Sequence, residues 1–86
     1  MTNSPTIPTT IAKIMADPKF GLGVADVRAG RGQHPSYERW SGDEQWNYER
    51  GRAWATMAPR NMALQQAGQV TAEAIAWFGR VGRYIL

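Results

Sequence analysis

The stretch SGDEQWNYERGRAWATMA, residues 41–58, carries the strongest structural signal in the chain. Ser41 and Glu44 have the spacing of a capping box, in which each side chain satisfies a free backbone N–H at the start of a helix. Pro59 prevents that helix from continuing. The sequence therefore predicts a helix over residues 43–58.

This helix has two apolar stripes, so we expect it to contact two neighbours. The first stripe consists mainly of large residues: Trp46, Ala53, Trp54 and Met57. The second consists mainly of small ones: Tyr48, Gly51, Ala55 and Ala58. Because large aromatics bury much area in a small protein, we interpret Trp46, Trp54 and Trp77 as core residues.

A helix is also predicted over residues 18–29, with Phe20, Val24 and Val27 on one face. Gly30 is placed to end it in a left-handed conformation.

The two helices are expected to pack together through their glycines. Gly23 on the first helix and Gly51 on the second leave room for close approach of two backbones. We therefore predict an antiparallel helix–loop–helix over residues 18–58. It would form the centre of an all-α fold, a small bundle of three to four short helices.

Shorter signals complete the prediction. Residues 1–8 are polar and broken by prolines, which predicts a flexible arm. Further helices are predicted over residues 9–16 and 71–86, whereas residues 60–69 are ambiguous and end in a turn. No strand-like alternation is present. We expect one helical domain over residues 9–86.

The charges are unevenly distributed. The chain has a net charge of +3, and eight of its ten basic residues are Arg. Residues 1–49 have a net charge of −1, and residues 50–86 have a net charge of +4. The planar donors of Arg suit phosphate and carboxylate, so this asymmetry indicates an acidic partner, with nucleic acid first among the candidates.

The candidate binding arginines are those without an acidic neighbour in sequence, namely Arg31, Arg60, Arg80 and Arg83. Other arginines have acids within reach of a helical ion pair. Asp26 could hold Arg28 or Arg50, and Glu49 could hold Arg52.

Two aromatic residues precede the capping box in a loop-like stretch. Trp40 and Tyr37 lie near Arg39 and could stack on a base or on a partner side chain. Alternatively, Trp40 could cover one end of the hydrophobic core.

Catalysis is not indicated. The chain has no Cys and a single His, His34, so a zinc or copper site is not expected. No Ser has the context of a nucleophile. We predict no enzyme activity and no cofactor. The absence of a signal sequence and of a long apolar run predicts a cytoplasmic protein that does not contact membranes.

A family resemblance runs over residues 20–58. Residues 23–31 read GVADVRAGR, Pro35-Ser36-Tyr37 follows, and the next helix contains Tyr48-x-x-Gly51-x-x-x-Ala55. This pattern resembles the ribosome modulation factor family, whose short members combine Gly-x6-Gly-Arg, a Pro-Tyr connector and Trp-x-x-Gly-x-x-x-Ala. The family's Cys before Pro is missing here, and Ser36 separates Pro from Tyr.

The resemblance implies a small basic protein that binds ribosomal RNA, with Arg28 and Arg31 facing phosphate. Our leading hypothesis is therefore binding to RNA or a ribonucleoprotein, on or near the ribosome. The second is a phage or mobile-element protein that inhibits a host complex by protein–protein contact, as an anti-CRISPR protein would. The third is a homodimer through the C-terminal helix, using Trp77, Phe78, Tyr84, Ile85 and Leu86.

Overall fold

The computed structural model describes the backbone of residues 9–85 and the side chains of residues 11–80. The elements in chain order are α1 (Thr9–Ala16), α2 (Pro18–Arg28), a 3₁₀ turn (Tyr37–Arg39), α3 (Gly42–Met57), β1 (Gln65–Gln66), β2 (Gln69–Val70) and α4 (Ala72–Ile85). The arm predicted over residues 1–8 lies outside the described residues.

All four predicted helices are present, and local hydrogen bonds fix the starts of α2 and α3. Asp17 accepts a hydrogen bond from the backbone N–H of Lys19 at 2.8 Å and so caps α2. Ser41 and Glu44 form the predicted capping box of α3. These caps satisfy backbone donors that a helix leaves free at its first turn.

The fold is mostly helical but not purely so, which corrects the all-α prediction. β1 and β2 form an antiparallel hairpin in which Gln65 pairs with Val70. The turn residues Ala67 and Gly68 both have positive φ angles, 53° and 80°, as a type I′ turn requires. The sequence did not reveal this hairpin because its strands are only two residues long.

Every helix contributes to the core. The buried residues are Met15 from α1, Phe20 and Val24 from α2, Trp54 and Ala55 from α3, Ala58 beyond it, and Ala74 and Phe78 from α4. The Phe20 ring lies 6.2 Å from each of the Trp54 and Phe78 rings. The Trp54 indole N–H also donates to the Ala74 carbonyl at 3.2 Å, which links α3 to α4.

The predicted glycine contact between α2 and α3 is confirmed. A Cβ atom at Gly51 would collide with the carbonyl oxygen of Phe20. A Cβ atom at Gly23 would collide with the carbonyl oxygen of Tyr48 and lie 2.9 Å from the backbone nitrogen of Arg52. The two backbones therefore touch without intervening side chains.

The direction of this helix pair differs from the prediction. Lys19 Nζ, in the first turn of α2, lies 3.5 Å from Glu44 Oε2, in the first turn of α3. Arg28 Nη2, in the last turn of α2, donates to the carbonyl of Pro59, just beyond α3, at 3.2 Å. Glu44 and Pro59 are about 22 Å apart at the helical rise per residue, so an antiparallel α2 could not make both contacts. The antiparallel prediction is wrong: the two helices run in the same general direction.

The connector over residues 29–41 makes this arrangement possible by returning along the helix pair. The backbone N–H of His34 donates to the Tyr48 hydroxyl at 2.9 Å. Further along the connector, the carbonyl of Tyr37 accepts a hydrogen bond from Gln45 Nε2 at 2.8 Å. The connector thus passes α3 from its middle towards its start.

Gly30 ends α2 with the positive φ angle that its position predicted, 74°. The Gly30 N–H donates to Val27 O at 3.0 Å, and the Arg31 N–H donates to Asp26 O at 2.7 Å. This pair of bonds is a Schellman motif, which satisfies the last carbonyls of a helix. It also turns Arg31 back towards Asp26.

The core prediction is right for Trp54 and wrong for Trp46. Trp54 has no exposed surface, whereas Trp46 is 52% exposed and Met57, on the same stripe, is 37% exposed. The contact between α2 and α3 is made by the stripe of small residues. The helix α4 contacts α3 at Trp54, two turns from Trp46, and so leaves Trp46 exposed. Trp77 is half-buried and packs against the core. Of the helices within residues 9–85, none is long and apolar enough to span a bilayer.

Candidate nucleic-acid interface

Arg28 and Arg60, which we call the arginine pair, lie together at the end of α2 and α3. Arg28 Nη2 donates to the carbonyl of Pro59 at 3.2 Å, and Arg60 Nη2 donates to the carbonyl of Arg28 at 3.1 Å. The Arg28 guanidinium also lies 5.3 Å from the centre of the Trp54 ring, which indicates a cation–π contact. A backbone carbonyl and an indole ring therefore position the guanidinium of Arg28, and a backbone carbonyl binds that of Arg60.

The arginine pair has no carboxylate partner among the side chains of residues 11–80. Ion pairs within 4.0 Å in that part of the chain are Lys19–Glu44 and Arg31–Asp26. Burial lowers the pKa of Arg28, and the positive charge of Arg60 lowers it further. The two like charges thus repel each other, and an anion placed between them would relieve that repulsion.

Arg31, in contrast, has an acidic partner. Its Nε donates to Asp26 Oδ1 at 2.8 Å, so the prediction that Arg31 is free of internal carboxylates is wrong. The prediction that Asp26 holds Arg28 or Arg50 is also wrong. Residues 26 and 31 are not neighbours on a helix surface, and only the Schellman motif brings them together. The Arg31 side chain nevertheless stays 58% exposed.

Asp26 is the buried centre of a hydrogen-bond network. Besides Arg31, the Tyr48 hydroxyl donates to Asp26 Oδ2 at 2.6 Å. Burial alone would raise the pKa of Asp26, but the hydrogen bonds from Tyr48 and Arg31 and the charge of Arg31 lower it overall. Burial raises the pKa of Tyr48, and its hydrogen bond to Asp26 adds to this effect. Because His34 donates to the same hydroxyl, the network ties the connector to both helices.

Arg52 extends the basic surface and was missed at the sequence level. Its Nη1 donates to the carbonyls of Arg31 and Gly32 at 3.1 and 3.3 Å. The predicted ion pair with Glu49 does not form: within the described side chains Arg52 lies within 4.0 Å of no carboxylate. The sequence around Arg52 could not predict these bonds, because their acceptor carbonyls lie about twenty residues upstream.

The arginines of α4 lie apart from this surface. The Arg80 guanidinium is exposed and stacks 5.5 Å from the centre of the Trp77 ring. None of its described contacts joins it to the arginine pair. The Arg83 side chain lies outside the described residues, and so do the side chains of Tyr84, Ile85 and Leu86 in the predicted dimer interface.

Tyr37 and Trp40 belong to an aromatic cluster around Tyr48. The Trp40 and Tyr37 rings lie 5.1 and 5.9 Å from the Tyr48 ring. His34 lies 5.0 Å from Trp40 on the connector side, and Lys19 Nζ lies 4.8 Å from the Trp40 ring centre. Both aromatics are half-buried, so packing of the connector accounts for their position. Their contact with a partner stays a prediction.

Comparison with protein-family models, with curated proteins and with solved structures finds no match for this chain. Within the described residues, no three His, Cys, Asp or Glu side chains are grouped as metal ligands would be.

Proposed function

We propose that this chain is a non-enzymatic binding protein that contacts the phosphates of RNA through the arginine pair. The observation that supports this proposal is the position of Arg28 and Arg60. Arg60 bonds the backbone carbonyl of Arg28, and neither guanidinium has a carboxylate within 4.0 Å among the described side chains. Arg52 adds a further positive charge, because it bonds the carbonyls of Arg31 and Gly32 and has no carboxylate within 4.0 Å among the described side chains.

The fixed geometry favours phosphate as the ligand. Arg60 is exposed and uses one Nη atom on a carbonyl, so most of its N–H donors remain available. A guanidinium held in advance loses less side-chain entropy when it binds a phosphate oxygen. A ribosomal location is supported by the resemblance over residues 20–58 to the ribosome modulation factor family.

Salt dependence of binding to a labelled single-stranded RNA tests the proposal. With two phosphates neutralised, the slope of log K against log salt should be about −1.4, measured by fluorescence anisotropy between about 50 and about 200 mM salt. Arg60→Gln should make this slope shallower by about 0.7 and weaken binding about fivefold. The physical reason is the loss of one phosphate contact and the counterion it releases.

Arg39→Gln is the matched control, because Arg39 is also exposed and carries the same charge, but lies at the other end of the connector. It should leave the slope nearly unchanged. If both variants weaken binding equally, the arginine pair is not a site and only the net charge matters. A flat salt dependence for the unaltered protein would also contradict the proposal.

A further inference from the structure

A second surface of the molecule is an open groove of about 600 Å³ beside the first half of α3. One wall comes from the junction of α1 and α2 and the other from the first half of α3. The lining residues are Ile14, Asp17, Asp43, Trp46, Asn47 and Arg50. Trp46 is the most exposed large apolar residue of the described chain, at 52%.

The exposed indole of Trp46 is held in place. The guanidinium of Arg50, one turn further along α3, lies 5.0 Å from the centre of the Trp46 ring. Arg50 is itself fixed, because its Nη1 donates to Asn47 Oδ1 at 3.0 Å and its side chain is half-buried. Rigid aromatic residues beside Arg are the usual anchors of protein interfaces, because they bind without losing much side-chain freedom.

The charge of the groove is opposite to that of the whole chain. Asp17 and Asp43 contribute two carboxylates, against the single positive charge of Arg50. Neither carboxylate lies within 4.0 Å of a cationic group in the described side chains. One oxygen of Asp17 caps α2, and its other oxygen accepts no described hydrogen bond. A phosphate chain would be repelled here, whereas a cationic side chain would find two unpaired acceptors.

We propose that this groove docks a basic segment of a partner protein. An apolar side chain of that segment would pack on Trp46, and a Lys or Arg side chain would face Asp17 and Asp43. The surface differs from the arginine pair in sign and in position: Trp46 lies about 17 Å from the end of α3 at the helical rise per residue. Peptide binding in the groove therefore does not require RNA binding.

Selection from a displayed library of short random peptides tests this proposal. The library is selected on the full chain and depleted on Trp46→Ala, which should fold because Trp46 is exposed; circular dichroism verifies this. The enriched peptides should combine Lys or Arg with a neighbouring apolar residue. A synthetic enriched peptide should bind Trp46→Ala about 30-fold more weakly and Asp43→Asn about fivefold more weakly.

Arg60→Gln provides the control, since it should leave peptide affinity unchanged while it weakens RNA binding. Enrichment of acidic peptides, or equal binding to the unaltered protein and Asp43→Asn, would overturn the proposal. An NMR shift of the Trp46 indole N–H by an RNA oligonucleotide would overturn it in favour of nucleic acid. Dimerisation that Trp46→Ala abolishes would overturn it in favour of a second copy of the chain.

Discussion

The two sides of α3 differ in how they contact the rest of the molecule. On the inner side, Gly51 lets the backbone of α2 touch α3, and Tyr48 fills the space beside it as a buried hydrogen-bond donor. On the outer side, Trp46 and Arg50 form a stacked pair in which about half of Trp46 stays exposed. The difference shows that small residues, more than large apolar ones, determined where the neighbouring helix docks.

The two tryptophans of α3 provide the largest expected contrast between these sides. Trp54→Ala should lower the free energy of unfolding by about 3–5 kcal/mol, because it empties the core and removes the bond to Ala74. Trp46→Ala should lower it by no more than about 1 kcal/mol, because half of Trp46 is exposed and the main contact it loses is the cation–π contact with Arg50. Urea denaturation measures both. Similar losses for the two variants would mean that Trp46 is buried in solution.

Two glycines of α2 test the backbone contact on the inner side. Gly23→Ala should lower the free energy of unfolding by about 1–3 kcal/mol, because the new methyl group collides with the Tyr48 carbonyl and the helices must separate. Gly21→Ala is the control on the same helix, since nothing lies within 4 Å of the added Cβ.

Gly21→Ala should stabilise the protein by about 0.5–1 kcal/mol, because alanine restricts the unfolded chain and favours the helix. Thermal unfolding of the two variants side by side gives the comparison. Equal changes in the two melting temperatures would show that α2 and α3 are not in backbone contact.

A further test concerns the hydrogen-bond network of Asp26 beneath the inner side. Asp26→Asn should cost about 1–2 kcal/mol, because it removes the charge that pairs with the largely exposed Arg31. Since the folded-state pKa of Asp26 is lowered from 3.8, the unfolded state binds more protons at acidic pH. This contribution to stability is complete above the unfolded pKa and is lost as pH falls through the folded pKa.

Urea denaturation at pH 3 and pH 6 should therefore show a smaller pH dependence for Asp26→Asn than for the unaltered protein. If the free energy of unfolding of Asp26→Asn depended on pH as strongly as that of the unaltered protein, other carboxylates would be responsible for the loss of stability in acid.

The helices could be predicted because their signals are local. Ser41 with Glu44, and Gly30 at the end of α2, act on backbone groups within one turn of themselves. Gly23 and Gly51 could also be paired in advance, because a tight contact requires a residue without a side chain on both helices.

What could not be predicted depends on long-range geometry. The direction of α2 relative to α3 is set by the path of residues 29–41, and a glycine contact is compatible with either direction. The Arg31–Asp26 pair depends on a turn that reverses the chain between them. The exposure of Trp46 depends on where α4 meets α3, which the stripe pattern of α3 leaves open. Because Asp26 neutralises Arg31, the arginines without a carboxylate partner at this end of the described chain are Arg28 and Arg60.

The shared direction of α2 and α3 gives the molecule an electric axis. Their first turns lie at one end, with the carboxylates of Asp17 and Asp43 and with Glu44 paired to Lys19. Their last turns lie at the other end, with the guanidiniums of Arg28 and Arg60. The helix dipoles have the opposite sign to these side chains at each end and so stabilise them. A dipole contributes only about half a charge per helix end, so the side-chain charges determine the sign of each end. The long-range field of a polyanion would therefore rotate the protein to approach arginine end first, before any contact forms.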